Sequence, residues 1–424
     1  MNYNFSPVKD FDKLEQAIVR LYGEQNKQQQ IERYRHLLEG FEKTFGHRDA
    51  LAVFSAPGRT EIGGNHTDHQ HGKVLAGSVN LDIIAVVAPN DDNVIRIQSE
   101  GFHLNEVDLS DLSVHESDND NSDGIVRGVA ARFAQLGCEV KGFDAYTTSI
   151  VLKGSGLSSS AAYEVLLANI INTMYFDGAC DPIQIAQIGQ YAENVYYGKP
   201  SGLLDQMASS VGAMVTVDFA DKASPVVERV DFDFAATGHA LCIIDSGANH
   251  SDLTPEYAAV PGELREICAH FGKSVLREVD EKDFYAALPE LRVKAGDRAV
   301  LRAIHVYEDN RRVEREVAAL RKGDFDGFLA CVKESGLSSW RCLQNVVPAG
   351  YTRNQEVALA LTLAESLLGG RGACRVHGGG FAGTIQAFVP MDLLENFKRE
   401  MERVLGEGSC HVLSIRPVGG TRLV

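Results

Sequence analysis

The feature that most constrains the fold is a run rich in glycine and serine at residues 151–162. A β-type segment, 146–152, leads into it, and the residues after it place apolar side chains on one helical face. Glycines let a backbone approach a ligand closely, while a helix start offers unpaired N–H groups and a positive dipole end. The strand, loop and helix therefore predict a phosphate-binding loop. The alternative is a serine-rich cap on an ordinary helix. It is not a Walker A loop, because Lys153 precedes the glycines.

Length and charge restrict the classes of protein that this chain can represent. A chain of 424 residues favours two domains, and a net charge of −17 argues against nucleic acid and anionic membranes as partners. No run of 18 apolar residues occurs, and the polar residues 1–9 do not resemble a signal peptide. The eight cysteines are scattered without a C-x-x-C pair, which predicts reduced thiols and a cytoplasmic location.

A second polar loop, residues 60–72, lies between apolar segments predicted to be strands. His66, Asp68, His69 and His71 allow a metal site as one interpretation. On an extended chain, however, His66 and Asp68 point one way and His69 and His71 the other. The alternative is a set of carboxylate, imidazole and amide groups that bind the hydroxyls of a polar small molecule.

Asp205 is a third candidate, because it lies among apolar residues where an unpaired carboxylate is costly. It is either a helix cap after Gly202 or a functional carboxylate, such as a general base or an electrostatic anchor. The helix before it is predicted to start at Asp181-Pro182 and to carry Glu193, and residues 198–202 interrupt the helical pattern.

The order of predicted elements indicates an α+β fold. Residues 1–47 read as a helical N-terminal extension, 51–54 as a short strand, and 56–59 as a turn. Residues 74–81 and 83–88 read as two strands, and 220–238 as a surface excursion and domain junction. Long helices dominate after residue 263, and a second glycine-rich turn occupies 371–383. The predicted domains are 1–47, 48–220 and 221–410, with 411–424 as a closing strand.

Three motifs resemble those of the GHMP small-molecule kinases, and among these the galactokinase family, over nearly the whole chain from about residue 40. Pro57-Gly-Arg-Thr-Glu-Ile-Gly-Gly-Asn-His-Thr-Asp68 is similar to the galactokinase signature Gly-Arg-Val-Asn-Leu-Ile-Gly-Glu-His-Thr-Asp. Gly154-Ser-Gly-Leu-Ser-Ser-Ser-Ala-Ala162 matches the ATP-phosphate loop of the family. Gly378-Gly-Gly-Phe-Ala-Gly383 resembles its last glycine turn, and Pro200-Ser-Gly-Leu-Leu-Asp-Gln206 the segment with its aspartate.

The resemblance implies a fold, a reaction and a set of roles. The fold is an N-terminal α/β domain against a C-terminal ferredoxin-like domain, with the active site in the cleft. The reaction is ATP- and Mg²⁺-dependent phosphorylation of the 1-hydroxyl of a sugar, with galactose as the leading substrate. The chain is expected to be a monomer or a weak homo-oligomer, with the sugar and ATP as its only partners.

The implied roles fall on four groups of residues. The catalytic pair is Asp205, which orients or deprotonates the 1-hydroxyl, and Arg59, which stabilises the transferring phosphoryl group. The ATP phosphates are assigned to Gly154, Ser155, Gly156, Leu157, Ser158, Ser159, Ser160 and Ala161. Mg²⁺ is assigned to Ser160 and Glu193. The sugar is assigned to Glu61, Asn65, His66, Asp68, Tyr257 and Gly379.

Departures from the family pattern concern the sugar and the nucleotide. Asn65 replaces the family's Glu, which meets the C6 hydroxyl, and Glu61 replaces the signature's Asn. An amide would tolerate a C6 carboxylate, and Asp68-His-Gln70 also resembles plant galacturonokinases, so a galacturonate or other C6-modified sugar 1-kinase is an alternative. Ser122 stands where the family has a Trp that stacks on adenine, and Ala382 replaces a glycine. A non-catalytic sugar sensor on the same scaffold, and a metal-binding module, are the remaining alternatives.

Overall fold

The computed structural model describes residues 5–6, 10–151, 156–199, 201–248, 253–381 and 383–424. The strands among them are β1 Ala52–Gly63, β2 Lys73–Pro89, β3 Val94–Ser99, β4 Leu104–Asp108, β5 Phe143–Ser149, β6 Met214–Asp218, β7 Val226–Arg229, β8 His239–Asp245, β9 Ala373–Val376, β10 Thr384–Pro390, β11 Cys410–Leu413 and β12 Thr421–Arg422.

The α-helices among the same residues are α1 Phe11–Tyr22, α2 Lys27–Phe45, α3 Ser122–Gln135, α4 Ser159–Tyr175, α5 Pro182–Val195, α6 Leu204–Val211, α7 Thr254–His270, α8 Glu281–Ala286, α9 Leu288–Lys294, α10 Asp297–Lys322, α11 Phe325–Ser338, α12 Glu356–Leu368 and α13 Leu394–Leu405. A π-helical turn, Ser339–Leu343, extends α11. The α+β class is therefore confirmed.

The described strands form two sheets. The larger has the order β12-β1-β2-β5-β3-β4, and β6 and β7 continue from the first half of β2. The long strands β1 and β2 are antiparallel, and β2 is apolar along both faces because both faces are covered. One face packs on α3 and α4, and the opposite face packs on α1 and α2.

The smaller sheet has the order β11-β8-β10-β9 and is antiparallel throughout. It starts at β8, just after the predicted junction at 220–238. The last residues of the chain then leave it, and β12 pairs with β1 of the larger sheet. The domain boundaries at 47, 220 and 410 remain predictions.

The N-terminal extension is part of the core of the larger sheet. Side chains of α1 and α2, such as Leu14, Ile18 and Tyr34, are buried against Val53 of β1 and Ile84 of β2. The helical spacing that predicted these two helices is thus confirmed, with a break at residues 23–26.

Two sequence predictions in this region are wrong. Residues 56–59 do not form a turn, because Pro57 and Gly58 lie inside β1, where the pairing with β2 shifts at a bulge between Pro57 and Arg59. Residues 74–81 and 83–88 form one strand rather than two. The bulge between Pro57 and Arg59 keeps β1 extended while it changes the direction of the side chains that follow it in the strand.

Gly128 holds α3 close to α5, the helix that carries Glu193. A Cβ atom at this position would lie 2.8 Å from the Cα of Ala192, which is a backbone atom that cannot rotate away.

We expect Gly128→Ala to destabilise the protein by about 1–3 kcal/mol through overpacking, measured by urea unfolding. Gly262→Ala in α7 is the matched control, since its nearest neighbour is the Arg265 guanidinium at 3.9 Å. That variant should gain up to about 1 kcal/mol from helix propensity, and equal effects at both positions would contradict the packing argument.

Candidate active site

Asp205, Arg59 and Ser158 form a compact group at the start of α4. The guanidinium of Arg59 donates from Nε to Oδ1 of Asp205 and from Nη2 to Oδ2, each at 2.7 Å. The hydroxyl of Ser158 donates to Oδ2 at 2.7 Å. Burial alone would raise the pKa of Asp205, but Arg59 and Ser158 outweigh it and hold the pKa below its usual value. Asp205 is therefore an ionised carboxylate at neutral pH.

Local structure explains how these three side chains meet. Arg59 follows the bulge in β1, and its backbone N–H donates to the carbonyl of Leu157 at 3.0 Å. Its Nη1 donates to the carbonyl of Gly156, so that strand and loop are joined twice. Asp205 lies in the first turn of α6, where the helix dipole favours negative charge.

The serine run does not cap α4 in the usual way. Ser158 occupies the cap position with φ 55°, yet its side chain bonds Asp205 and makes no cap hydrogen bond. The first N–H groups of α4, from Ser159 to Ala161, are thus left for another acceptor. This arrangement favours the phosphate-loop interpretation over the capping one. Gly154 and Ser155, assigned to the same loop, lie outside the described residues.

Glu193 is the centre of a second polar group beside the loop. Its Oε1 accepts from Lys199 Nζ at 2.7 Å and lies 3.5 Å from Ser160 Oγ. Its Oε2 accepts from Ser201 Oγ at 2.6 Å and from Gln206 Nε2 at 2.9 Å.

Gln206 also donates to Glu164, a fully buried carboxyl on α4. Burial, and then repulsion from Glu193, raises the pKa of Glu164 well above its usual value. Burial beside Glu193 therefore favours the neutral form of Glu164, and Glu193 Oε1, which faces Ser160, is the carboxylate oxygen placed to meet a cation.

The loop after β1 brings His66 and Asp68 to the same cavity. His66 has φ 59°, and its Nε2 donates to the carbonyl of Gly379 at 3.0 Å. Burial lowers the pKa of His66 to about 4, so the ring is neutral at pH 7. Asp68 lies against Gly202, where a Cβ atom would collide with the carboxylate. The pairing of Asp68 with Gly202 joins this loop to the segment before Asp205.

Asn65 lies behind the cavity wall. Its Nδ2 donates to Glu61 Oε1 at 2.9 Å and to the carbonyl of Gly378 at 2.6 Å, which uses both amide hydrogens. Its Oδ1 accepts from Asn345 at 2.8 Å. The side chain is fully buried, and the described residues that line the cavity do not include it. A direct contact between Asn65 and the sugar remains a prediction that these bonds do not favour.

Glu61, unlike Asn65, lies at the wall of the cavity. Its Oε1 is shared by Asn65 and by Arg375, a fully buried guanidinium, and the residue lines the cavity. Burial raises the pKa of Glu61, while Arg375 and Asn65 oppose the change. Glu61, the acidic residue that the sequence analysis assigned to the sugar site, therefore lies at the wall of the cavity.

Gly379 belongs to the glycine turn at one side of the cavity, and Tyr257 of α7 packs against this turn. Gly379 lines the cavity, while the Tyr257 hydroxyl donates to the carbonyl of Gly380 at 2.8 Å and its ring packs on Phe381. Gly380 has φ 79°, and a Cβ atom there would collide with the carbonyl oxygen of Asn345. Tyr257 thus braces the turn, and its assigned contact with the sugar remains a prediction.

The cavity that these groups enclose has a volume of about 220 Å³. Seven residues predicted from the sequence line it: Arg59, Glu61, His66, Asp68, Glu193, Asp205 and Gly379. Residues to which the sequence gave no role toward the sugar, the phosphates or Mg²⁺ also line it: His69, Lys199, Ser201, Gly202, Leu204 and Gly378. Lys199 and Ser201 lie in the interruption at 198–202, and Ser201 also belongs to the segment that resembles the one with the family's aspartate.

A buried set of polar bonds beneath the cavity was also missed. Thr60 Oγ1 accepts from Gln386 Nε2 at 2.7 Å and bonds His377 Nε2 at 3.1 Å, while Arg375 bonds Glu61. These bonds join β1 of the larger sheet to β9, β10 and the residue after β9 in the smaller sheet. Burial, with Arg59 and Arg375 nearby, lowers the pKa of His377 well below its usual value. A neutral His377 therefore fits the chain of bonds.

Larger grooves lie elsewhere in the described part of the chain. In one of about 530 Å³, Lys73 pairs with Glu314 and Arg321 pairs with Glu228. Among the residues that the structure describes, no cluster of three or more His, Cys, Asp and Glu could hold a metal ion. This leaves the metal-module interpretation of His66, His69 and His71 without support. No helix in the described part of the chain is long and apolar enough to cross a membrane.

Comparison with known families matches both halves of the site. Residues 39–89, which carry Arg59 and Asp68, match the family model "Galactokinase galactose-binding signature". Residues 124–213, which carry the serine loop, Glu193 and Asp205, match the model "GHMP kinases N terminal domain".

Relatives of similar length bear the same family name. The chain is 32% identical to a galactokinase of Streptomyces coelicolor over 353 residues, which cover 83% of this chain and 87% of the relative. It is 31% identical to a galactokinase of Glaesserella parasuis, with coverages of 85% and 90%.

Solved structures agree with the fold. The structure of Lactococcus lactis galactokinase complexed with galactose superposes with a TM-score of 0.76 at 25% identity, covering 92% of this chain and 99% of that one. A mevalonate kinase superposes with a TM-score of 0.61 at 11% identity and covers 86% of this chain and 99% of its own, which shows a shared fold. From these matches, the chain belongs to the galactokinase family of GHMP kinases.

Proposed function

We propose that this protein is an ATP-dependent sugar-1-kinase that converts galactose and ATP into galactose 1-phosphate and ADP. The observation that carries the proposal is the Asp205 carboxylate, bonded by Arg59 and Ser158 beside the open N-terminus of α4. A nucleophile-orienting carboxylate, a guanidinium and a phosphate-binding helix start are the parts that phosphoryl transfer needs. The choice of galactose as the substrate rests on the relatives that are named galactokinase.

Asp205 orients the sugar in this mechanism. The ionised carboxylate accepts a hydrogen bond from the sugar 1-hydroxyl. This bond directs the oxygen of the 1-hydroxyl toward the γ-phosphorus of ATP. The bond from that oxygen to phosphorus forms, and the bond from phosphorus to the β–γ bridging oxygen breaks. The hydroxyl proton passes to Asp205. Because the pKa of Asp205 is lowered, we expect this proton to move late, as in a loose transition state.

Arg59 and the first N–H groups of α4 stabilise the phosphates. The Arg59 guanidinium lies between Asp205 and the carbonyl of Gly156, so its charge lies where nucleophile and phosphate meet. Backbone N–H groups at a helix start bind phosphate oxygens and need no reorganisation. The N–H groups from Ser159 to Ala161 are available for this purpose.

The residues present fit a magnesium ion. Mg²⁺ is commonly held by one or two oxygens of the protein together with phosphate oxygens and water. Ser160 Oγ and Glu193 Oε1, which lie 3.5 Å apart, would supply those two oxygens. Bound there, the ion would neutralise charge on the phosphates.

The eight cysteines carry free, buried thiols, which supports a reducing, cytoplasmic setting.

Glu61 gives a reason to prefer galactose over galacturonate. Four carboxylate side chains line the cavity, Glu61, Asp68, Glu193 and Asp205, against two cations, Arg59 and Lys199. Both cations are already paired with two of these carboxylates, Arg375 pairs with Glu61 from behind the cavity wall, and Asp68 has no Lys or Arg partner among the described residues. A uronate would add one more negative charge to an acidic cavity, whereas a neutral sugar would not.

A panel of sugars tests this choice. We expect ADP release with galactose to exceed that with galacturonate by at least about tenfold in kcat/KM, which corresponds to about 1.4 kcal/mol. Glu61→Gln should narrow this ratio, because it removes one negative charge and keeps the shape of the side chain. Glu314→Gln, on the exposed rim of another groove, is the matched control and should leave the ratio unchanged. Faster turnover of galacturonate by the native protein would reverse the assignment.

A further inference from the structure

Lys199 is the one cavity-lining cation, among the described residues, that does not belong to the catalytic pair. It lies between α5 and α6, the helices that carry Glu193 and Asp205. Its Nζ contacts Glu193 Oε1 at 2.7 Å, while the two side chains are 56% and 3% exposed. The ammonium thus reaches from the solvent side over a buried carboxylate.

The contacts of Glu193 show that Lys199 is not needed to seat it. Ser201 and Gln206 both donate to Oε2 of Glu193, at 2.6 and 2.9 Å. Lys199 takes Oε1, the oxygen that faces Ser160 at the start of α4. The ammonium therefore stands on the side of Glu193 that faces the phosphate loop.

Charge in the cavity gives this position a consequence. Arg59 is held by two bonds to Asp205, so its guanidinium is fixed in direction. A polyphosphate that enters among four carboxylates requires a further cation that can move. A lysine has that property, because its ammonium is a point charge with three donors on a flexible four-carbon stem.

We propose that Lys199 is a phosphate-binding residue, whose ammonium moves from Glu193 Oε1 to a phosphate of the bound nucleotide. This rests on the proposed function, since the phosphate that it meets is that of ATP. The movement leaves Oε1 of Glu193 free to bind a divalent cation. Lys199 and the cation thus compete for Oε1 before the nucleotide enters, and they occupy different oxygens afterwards.

The test measures binding of metal-free ATP in excess EDTA by isothermal titration calorimetry. We expect Lys199→Met to raise the Kd at least about tenfold, because one charge-assisted contact is lost. Lys199→Arg keeps the charge and should stay within about threefold of the native protein. Lys141→Met, an exposed lysine paired with Glu139 outside the cavity lining, is the control and should not change the Kd.

A second measurement reads the competition directly. Without nucleotide, Mn²⁺ binding followed by electron paramagnetic resonance should become at least about threefold tighter in Lys199→Met, because Oε1 of Glu193 is vacated. Circular dichroism melting of each variant shows whether the fold is kept. A purely structural lysine would lower the melting temperature and would leave binding of metal-free ATP unchanged in the variant that remains folded.

The outcomes separate this inference from the proposed function. Native affinity of Lys199→Met for metal-free ATP would overturn the phosphate role, as would a loss that Lys199→Arg shares. If the native protein binds ATP but turns over no sugar on the panel, the proposed function fails. The ATP titrations would still decide the role of Lys199 in that case.

Discussion

Asp205→Ala is expected to lower kcat with galactose by between about 10² and 10⁴, the range for a group that takes part in proton transfer. The variant also leaves Arg59 without its two bonds to the carboxylate, so the guanidinium loses its direction. Asp205→Asn keeps the shape and should lose a similar amount, because the amide carries no charge. Steady-state ADP release with saturating ATP measures both.

The control for Asp205 is a paired carboxylate outside the site. Asp218 is bonded by Arg277 at 2.9 Å and borders a different groove, so Asp218→Asn should keep kcat within about twofold. The affinity of Asp205→Asn for ATP should remain within about threefold, which separates a defect in chemistry from one in nucleotide binding. An unchanged rate in Asp205→Ala would remove the kinase assignment and favour a sugar sensor on this scaffold.

Asp82→Ala is expected to lower the free energy of unfolding by about 3–5 kcal/mol, the usual cost of breaking a buried ion pair. Asp82 is fully buried on β2 and accepts from Arg33 of α2 at 2.6 Å and from Arg416 at 2.9 Å. The hydroxyls of Tyr22 and Ser55 also donate to it. The variant would bury two guanidinium groups without their counter-charge. Urea unfolding followed by circular dichroism measures the loss.

The dependence of this contribution on pH has a defined sign. Burial by itself raises the pKa of Asp82, but Arg33 and Arg416 outweigh it, so the folded-state pKa lies below its usual value. The stabilisation is therefore complete above the unfolded-state pKa of about 3.9, and it is lost as the pH falls through the folded-state value. The difference in stability between the native protein and Asp82→Ala should be constant from pH 6 to 8 and shrink in acid. Asp392→Asn, in an exposed pair with Arg371, is the control and should not move the unfolding midpoint.

Much of the fold follows from local patterns. The helices α1, α2 and α4 have apolar residues at helical spacing, and α5 begins after Asp181 with Pro182 as predicted, to which the structure adds a capping box between Asp181 and Gln184. The turn wrongly predicted at 56–59 has a physical reason, because Pro57 and Gly58 favour turns in isolation. The pairing of β1 with β2 overrides this preference and places them at a bulge.

Local sequence patterns could not predict where the side chains of Asn65 and Glu61 lie relative to the cavity. The backbone N–H of Asn65 donates to Asp309, 244 positions away, and its amide donates to Gly378, 313 positions away. Such long-range partners leave no periodic signal near residue 65. The motif gave both residues a place at the site, but it did not show that Glu61 lines the cavity while Asn65 is buried behind it. Lys199 was missed for a different reason, because an exposed lysine between two helices has no distinguishing sequence context.

The bonds from Thr60 and Glu61 to His377, Gln386 and Arg375 have a mechanical consequence. They cross from one sheet to the other directly under the cavity, and they are buried, so no solvent molecule replaces them at low cost. We therefore expect the floor of the cavity to be rigid and the two sheets not to open and close around it. Among the described residues that line the cavity, His69, Lys199 and Gly379 are exposed, so we expect substrates to enter at this rim while the bonded floor keeps its geometry.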